Sequence, residues 1–480
     1  MNYNINERFE RQKGAAELVS HLKEGGKRGI VVQGLYSSAK AFAICAAAKS
    51  GIHIVMLNNR EDAVYCSGDL YKLMGKERVF FFPSSKNHSL RNVRKDTSHQ
   101  VQRTAALNEV KRYTEGESEF ESIVLVTYPH AVSELIIDKK SLKSNILKIS
   151  KGDTLSHEFI RETLVAYSFT KVDFVSEPGQ FALRGGLIDL FSFSDNRPYR
   201  IDFFGDTVEN IKVFDIETQR SEEERKSIEI FPDIFEMEES TRENIFGFAG
   251  SSSILWITDE PWFNSQIKLI EEHKREEEIL LPYREFCEIT ESHKRVLFGP
   301  LQGDYKSYET ITFHTIPQPV FNKNFELLAK DISQKKSEGF EVWLLSENPS
   351  QTERIKNILS SLEIEGLGDV RFETEAISIH EGFIDHNAQI CLYTDHQIFE
   401  RHHRVKPHRT VEKSERLTIS EINSFEIGDY IVHIDHGTGQ FGGLVKTQIN
   451  GKQQEAVKLI YKDGDVIFVS IHGLHRISRY

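Results

Sequence analysis

From Gly428 to Tyr480 the chain reads GDYIVHIDHGTGQFGGLVKTQINGKQQEAVKLIYKDGDVIFVSIHGLHRISRY, and this stretch decides how the rest is read. Asn450-Gly451 and Asp463-Gly464 each supply the two positive-φ positions of a two-residue hairpin turn. The flanking runs Tyr430 to Ile434, Phe441 to Thr447, Ala456 to Tyr461 and Val466 to Val469 are predicted strands, giving a small β-barrel. His433-Ile-Asp435-His436 resembles a ligand set, but alternation puts His433 and Asp435 on one face and His436 on the other. No further ligand has suitable spacing, so a hydrogen-bonded loop is expected there and no metal ligand is assigned. An all-β module without triad or metal cluster, closing a long acidic chain, points to recruitment of a partner rather than chemistry.

Working outward, 480 residues are too many for one core at roughly 150 residues per domain. The 39% hydrophobic and 28% charged content is that of a folded protein, and no stretch approaches the ~20 apolar residues of a membrane helix. The start, MNYNINERFERQK, lacks the apolar core of a signal peptide. Cys45, Cys66, Cys287 and Cys391 are too far apart for a disulfide framework or a CxxC site, which fits a reducing cytoplasm. A net charge of −13 argues against broad adhesion to DNA, which depends on Lys and Arg neutralising phosphates. The basic run from Arg401 to Arg409 reads as a solvated linker.

Residues 1–147 alternate helical patterns with short buried strands (Gly29 to Gln33, His53 to Leu57, Val79 to Phe82, Ile123 to Thr127), which implies a parallel α/β layer. Residues 148–228 turn β-rich, with strands at Gln180 to Arg184, Leu187 to Phe193, Tyr199 to Phe204 and Val208 to Phe214, and read as an antiparallel insertion. The α/β texture resumes over 229–324, with Ser253 to Ile257 as a buried strand, and a further α/β domain occupies 325–401. In it Phe340 to Leu345 and Gln389 to Tyr393 are predicted strands, and Asn348-Pro349 starts a helix running to Leu362. A linker over 402–427 precedes the barrel at 428–480.

After Ile30-Val31-Val32 comes Gly34-Leu-Tyr-Ser-Ser-Ala39-Lys40-Ala41, at the strand-to-helix position of a phosphate loop GxxxxGK[ST]. Such a loop needs glycine so that backbone N–H groups can wrap phosphate, lysine to reach it, and a hydroxyl for Mg²⁺. Gly34 and Lys40 remain, whereas Ala39 and Ala41 replace the second glycine and the hydroxyl. Asp259-Glu260, after the apolar Ile254-Leu-Trp-Ile257, stand where a metal-binding acid and a water-positioning acid would follow a strand. Two acids are also common at helix N-termini. Together these remnants read as a degenerate nucleotide site on an ATPase scaffold kept for its shape.

The stretch from Lys171 to Phe191, containing PGQFALRGGLIDLF, continues with PYRIDFFGD and FDIETQRS. It resembles the PGxFxxRGGxxDIF…PxRxxFFGD…FDxxTQRS signature of the bacterial transcription-repair coupling factor family, of which a related form occurs in the repair helicase UvrB. TDHQIFER at 394–401 is similar to the TDxEIFxR element of that family, and 428–480 to its CarD-like, Tudor-like RNA polymerase-interacting domain. The resemblance covers most of 25–480 and is weakest over 265–340. It implies a multidomain α/β chain: a degenerate UvrB-like, P-loop-like module with its β-rich insertion, a third small α/β domain, and the terminal barrel.

The resemblance also implies partners. The insertion resembles the UvrB surface that meets UvrA, making Lys171, Phe181, Arg184 and Arg200 the contact candidates. Phe181 reads equally well as core, and Ala182 stands where UvrB has a further arginine. In the barrel, the strand Glu455 to Tyr461 would pair as an edge strand with the RNA polymerase β subunit, with Val457 and Leu459 as anchors beside Lys458. Val457 and Leu459 could equally fill the barrel. The family carries a RecG-like, ATP- and Mg²⁺-dependent DNA translocase after the polymerase-binding domain. This chain ends at Tyr480, so it is expected to be a non-catalytic N-terminal half, monomeric and without a cofactor of its own, meeting DNA through the full-length protein. The alternatives are a UvrB-like DNA helicase or damage-binding ATPase, and a free-standing CarD-like transcription regulator.

Overall fold

The computed structural model describes all residues except 1–4, 25–28, 76, 86–96, 196, 217, 235–240, 276–277, 300–304, 306, 363–367, 402–426, 434–435, 450–451, 463, 471–476 and 480. The chain divides into two compact units, Met1–Val213 with Glu223–Thr410, and Phe214–Glu222 with Val411–Tyr480. The basic run after Arg401 lies outside the described residues.

The first unit is built on a seven-stranded parallel sheet. Its strands lie in the order Glu309–Thr312, Ile30–Gln33, Lys294–Phe298, Ile254–Thr258, Gly51–Met56, Ser122–Thr127 and Val79–Phe81. Strands such as Ser122–Thr127, SIVLVT, are buried at every position, as expected when helices cover both faces of a parallel sheet. Two of these strands, Lys294–Phe298 and Glu309–Thr312, fall within 265–340, where the family resemblance is weakest.

The β-rich region is a second, mainly antiparallel sheet. Its order is Ser221–Arg225, Thr207–Phe214, Tyr199–Phe204, Leu187–Leu190, Gln180–Arg184 and Thr170–Lys171. One face, carrying Phe181, Ile188, Leu190, Ile201, Phe203 and Ile211, packs against Ile160 and Leu164 of the helix His157–Ala166. The other face carries charge.

A third sheet runs Thr315–Pro317, Phe383–Asp385, Ile390–Thr394, Glu341–Leu345 and Glu373–Glu375. Period-2 alternation gives it two apolar faces. Val342, Leu344, Ile384, Cys391 and Tyr393 pack on the helices Phe325–Ser337 and Pro349–Ser360, the latter capped by Asn348 with Pro349 at its first turn. Leu345, Phe383, Ile390 and Leu392 join the core of the seven-stranded sheet instead. Phe383 lies edge-on to Phe42, ring centroids 5.3 Å apart, and Phe42 and Phe313 both meet Phe9.

The second unit contains a five-stranded antiparallel sheet ordered Val466–Ser470, Lys452–Ile460, Gly437–Ile449, Tyr430–His433 and Ile477–Arg479. Ile449 pairs with Lys452, so their connection is the two residues Asn450-Gly451, which lie outside the described residues. Gly464 has φ +81°, as its hairpin requires. Asp435 also lies outside the described residues, and the buried His433 ring packs against His436, centroids 4.7 Å apart. Among the described residues no helix is long and apolar enough to cross a membrane.

Because Phe383 fills the core shared by the first and third sheets, Phe383→Ala is expected to destabilise the first unit by about 3–5 kcal/mol. Urea unfolding followed by tryptophan fluorescence measures this, and an unchanged midpoint would contradict the shared core.

Candidate docking surfaces and a closed loop

The loop after Ile30–Gln33 is clamped from the side. Gly34 has φ +74°, and a Cβ there would lie 1.9 Å from the Phe313 carbonyl oxygen, so only glycine fits. Thr315 donates to the Gly34 carbonyl through its backbone N–H (3.0 Å) and its hydroxyl (2.9 Å), and that hydroxyl oxygen accepts from Tyr36 N–H (2.9 Å). Ala39 N–H turns back to the Tyr36 carbonyl (3.1 Å) and Ala41 N–H to that of Ser38 (2.9 Å). Ala39 and Ala41 are themselves buried. Methyl groups therefore pack in the core where a phosphate loop needs a bare backbone and a metal-binding hydroxyl. The charge of Lys40 acts on Asp62 and Cys66 of the helix Arg60–Met74.

Asp259 and Glu260 are also engaged. Asp259, in the left-handed region at φ +50°, caps the helix Glu260–Glu272 by accepting from Trp262 N–H. Glu260 is buried and accepts from Arg295 (2.6 Å) and from the Tyr305 hydroxyl (2.7 Å). Ile30–Gln33 and Ile254–Thr258 are parallel with one strand between them, so the loop at Gly34 and the pair Asp259-Glu260 both lie at the carboxyl edge of the sheet, where α/β proteins bind ligands. At that edge Asp69 is buried, accepts from His380 N–H (2.7 Å) and is hydrogen-bonded by Ser38; burial pushes its carboxyl up to about 7.

On the charged face of the second sheet, Asp189 is buried and accepts from Arg200 twice, at 2.7 and 2.8 Å. That bond raises the Arg200 guanidinium above its usual range. Arg184 stands 3.7 Å from the same carboxylate, donates to the Asp173 carbonyl, and lies 4.3 Å over the ring of Phe174. Its side chain keeps 38% exposure, and Phe174 keeps 52%. Lys171 is exposed on the short edge strand. Phe181 is fully buried between Ile188, Leu190 and the helix, so the contact role given to it is corrected: it is core. Arg200 is mainly occupied with Asp189 and acts on the surface through it. Two further aromatics that the sequence reading does not single out, Phe174 and Phe204, are exposed, Phe204 to 82% beside the turn at Gly205. The signal was present, since alternation that puts Phe203 inside puts Phe204 outside.

In the terminal sheet the strand Lys452–Ile460 pairs on both sides and is not an edge. Val457 and Leu459 are fully buried with Ile431, Phe441 and Val469. Their anchor roles are therefore corrected: both fill the core. Lys458 faces outward opposite Phe468, which is 46% exposed, with Val466 beside it on the edge strand. Among the described residues a second stretch of backbone, Leu444–Ile449, is paired on one side alone, because Tyr430–His433 pairs with Gly437–Gln440. Leu444 is exposed there.

Two family models match the chain: a UvrB interaction domain over residues 147–234 and a CarD-like/TRCF RID domain over residues 425–480. The first contains the Arg184 surface and the second the terminal sheet. A transcription-repair-coupling factor of Bacillus subtilis is 24% identical over 96% of this chain and 46% of its own length. One from Haemophilus influenzae is 25% identical over 71% of the chain and 36% of its own length. One from Borreliella burgdorferi is 24% identical over 74% of the chain and 35% of its own length. The chain is similar to transcription-repair-coupling factors along most of its length. It thus spans less than half the length of these relatives.

Two outcomes follow from the buried carboxyls. The folded Asp69 carboxyl holds its proton to about 7 whereas an unfolded one releases it near 4, so rising pH between those values costs the fold at most about 1.4 kcal/mol per pH unit. Asp69→Asn lacks this term. Its melting temperature should gain on wild type from pH 4 to pH 7 and stay level above; a constant gap would show that Asp69 titrates normally. Arg295→Met strands the Glu260 carboxylate and should cost about 3–5 kcal/mol in chemical denaturation.

Proposed function

We propose that this chain is a recruitment scaffold of transcription-coupled repair, docking on the RNA polymerase β subunit through its terminal sheet and on UvrA through its β-rich insertion. The observation that carries the reading is the presence, in one chain, of two matched interaction domains that each expose apolar and basic side chains on a paired sheet. The UvrA contact centres on Arg184, held over Phe174 by Asp189, with Lys171 alongside and Arg200 supporting. The polymerase contact is strand addition to an open edge of the terminal sheet, with Lys458 on the neighbouring outer face.

In this reading residues 1–147 and 229–324 form a UvrB-like scaffold whose nucleotide site, at Gly34, Lys40, Asp259 and Glu260, is degenerate, and the chain itself needs neither ATP nor Mg²⁺. Residues 148–228 are the insertion, 325–401 the third domain, 402–427 a linker and 428–480 the polymerase-binding module. The setting is the cytoplasm and the chain is a monomer. ATP-driven translocation on DNA, displacing stalled polymerase, belongs to the further half that the longer relatives have.

Surface-immobilised RNA polymerase β and UvrA, probed separately with the 480-residue chain, test this. Arg184→Ala should weaken UvrA binding by about 1–3 kcal/mol, roughly 5- to 150-fold, and leave polymerase binding unchanged. Leu444→Arg and Phe468→Asp should do the reverse, the more damaging one identifying the edge used. Undiminished polymerase binding by both folded variants would sink the strand-addition reading. Robust ATP hydrolysis by the wild-type chain would favour a UvrB-like ATPase instead.

A further inference from the structure

The third sheet sends Ser378–Gly382 across the mouth of the loop that follows Ile30–Gln33. Glu381 N–H donates to Ser38 Oγ at 2.9 Å, and His380 N–H donates to Asp69 Oδ1 at 2.7 Å. The His380 ring lies flat on Tyr65 of the helix Arg60–Met74, centroids 3.6 Å apart and planes within 9°. Behind it, the His396 ring nitrogen meets the His380 carbonyl at 2.8 Å, and Gly382 N–H donates to Gln397 Oε1 at 2.7 Å. The ends are anchored by apolar burial, since Ile379 and Phe383 are both fully inside the first core. Gly382 fits closely at its place: a Cβ there would lie 2.2 Å from Gln318 Oε1 and 2.4 Å from the Leu392 carbonyl oxygen.

This contact does something the lost glycine and hydroxyl do not explain. Ser38 belongs to the loop itself, and Asp69 stands beside it at the sheet edge where a ligand would be held. Both receive donors from a segment more than 300 positions later in the chain. Two backbone N–H groups and a planar ring offered to a loop mouth are the kind of groups a bound ligand would have met.

We propose that Ser378–Gly382 is a resident plug, an autoinhibitory contact that closes the loop to phosphate ligands independently of Ala39 and Ala41. The inference rests on the reading of that loop as a degenerate nucleotide site. It makes the third domain the source of the closure and gives that domain a role.

The test combines amide hydrogen exchange, resolved at His380 and Glu381, with binding of a fluorescent ATP analogue in Mg²⁺. Three variants of the 480-residue chain are compared with wild type. One restores the loop (Ala39→Gly with Ala41→Thr), one removes the plug's acceptors (Ser38→Ala with Asp69→Ala), and one combines all four changes. Expected are protected His380 and Glu381 amides in wild type and in the loop-restored variant, neither of which binds the analogue. Exchange about tenfold faster is expected without the acceptors, matching a lost hydrogen bond of about 1.4 kcal/mol. Only the combined variant should bind. Binding by the loop-restored variant alone overturns the proposal, as does a combined variant that exchanges faster yet binds nothing. Should the restored loop fail to fold, Ser38→Ala alone still decides, because unchanged exchange at Glu381 removes the contact on which the plug depends. Analogue binding by wild type would instead refute the degenerate-site reading itself.

Discussion

Phe9, Phe42, Phe313 and Phe383 come from four distant parts of the chain and meet at centroid distances of 5.3 to 6.3 Å. The rest of the first unit depends on this contact. Phe42 belongs to the helix after the loop, Phe313 to the link between the first and third sheets, and Phe383 to a strand of the third. Packing these rings against one another brings the Phe313 carbonyl up to Gly34 and sets Gly382, next to Phe383, in its tight niche. An apolar constraint thus dictates the polar geometry of the loop. Aromatic burial is worth several kcal/mol per ring, whereas each loop hydrogen bond is worth about one, so the rings set the arrangement and the hydrogen bonds follow it.

That order of strengths explains why the acids at the sheet edge look unlike catalytic ones. A carboxylate that binds Mg²⁺ or positions water must be held yet left with free lone pairs for the reacting species. Glu260 has a guanidinium and a phenol on it, and Asp259 is taken up in capping a helix. Removing either partner of a buried ion pair is costly, so these contacts are not readily exchanged for a ligand. Ala39 and Ala41 act in the same direction, because their methyl groups are part of the packed interior.

Much of this was legible in the chain, and where the reading failed the missing step was geometric. Alternation fixed the insertion strands, and followed strictly it places Phe181 and Leu183 on the core face and Arg184 with Ala182 on the opposite face. The error at Val457 and Leu459 was of the same sort. Two hairpin turns, Asn450-Gly451 and Asp463-Gly464, flank their strand, and a strand between two hairpins is the middle of a meander, not its edge. Other features had no local signal. The pairing of Glu260 with Arg295 and the crossing of Ser378–Gly382 over Ser38 join residues 35 and 343 positions apart, and nothing in either neighbourhood announces the other.

The two proposed docking faces share a physical logic that the loop lacks. Binding is limited by the cost of ordering long side chains, and a group already held in place avoids part of that cost. Arg184 is such a group: its guanidinium rests on Phe174 and leans toward Asp189, which Arg200 fixes with two short hydrogen bonds, yet more than a third of the side chain still meets solvent. The buried Asp189 is neutralised chiefly by Arg200, so Arg184 can turn part of its charge outward without stranding a carboxylate. In the terminal sheet the held element is backbone. Val457 and Leu459 fix the central strand from within, next to the edge strand Val466–Ser470. The burial of Val457 and Leu459 thus serves the proposed polymerase contact by holding the strand next to that edge.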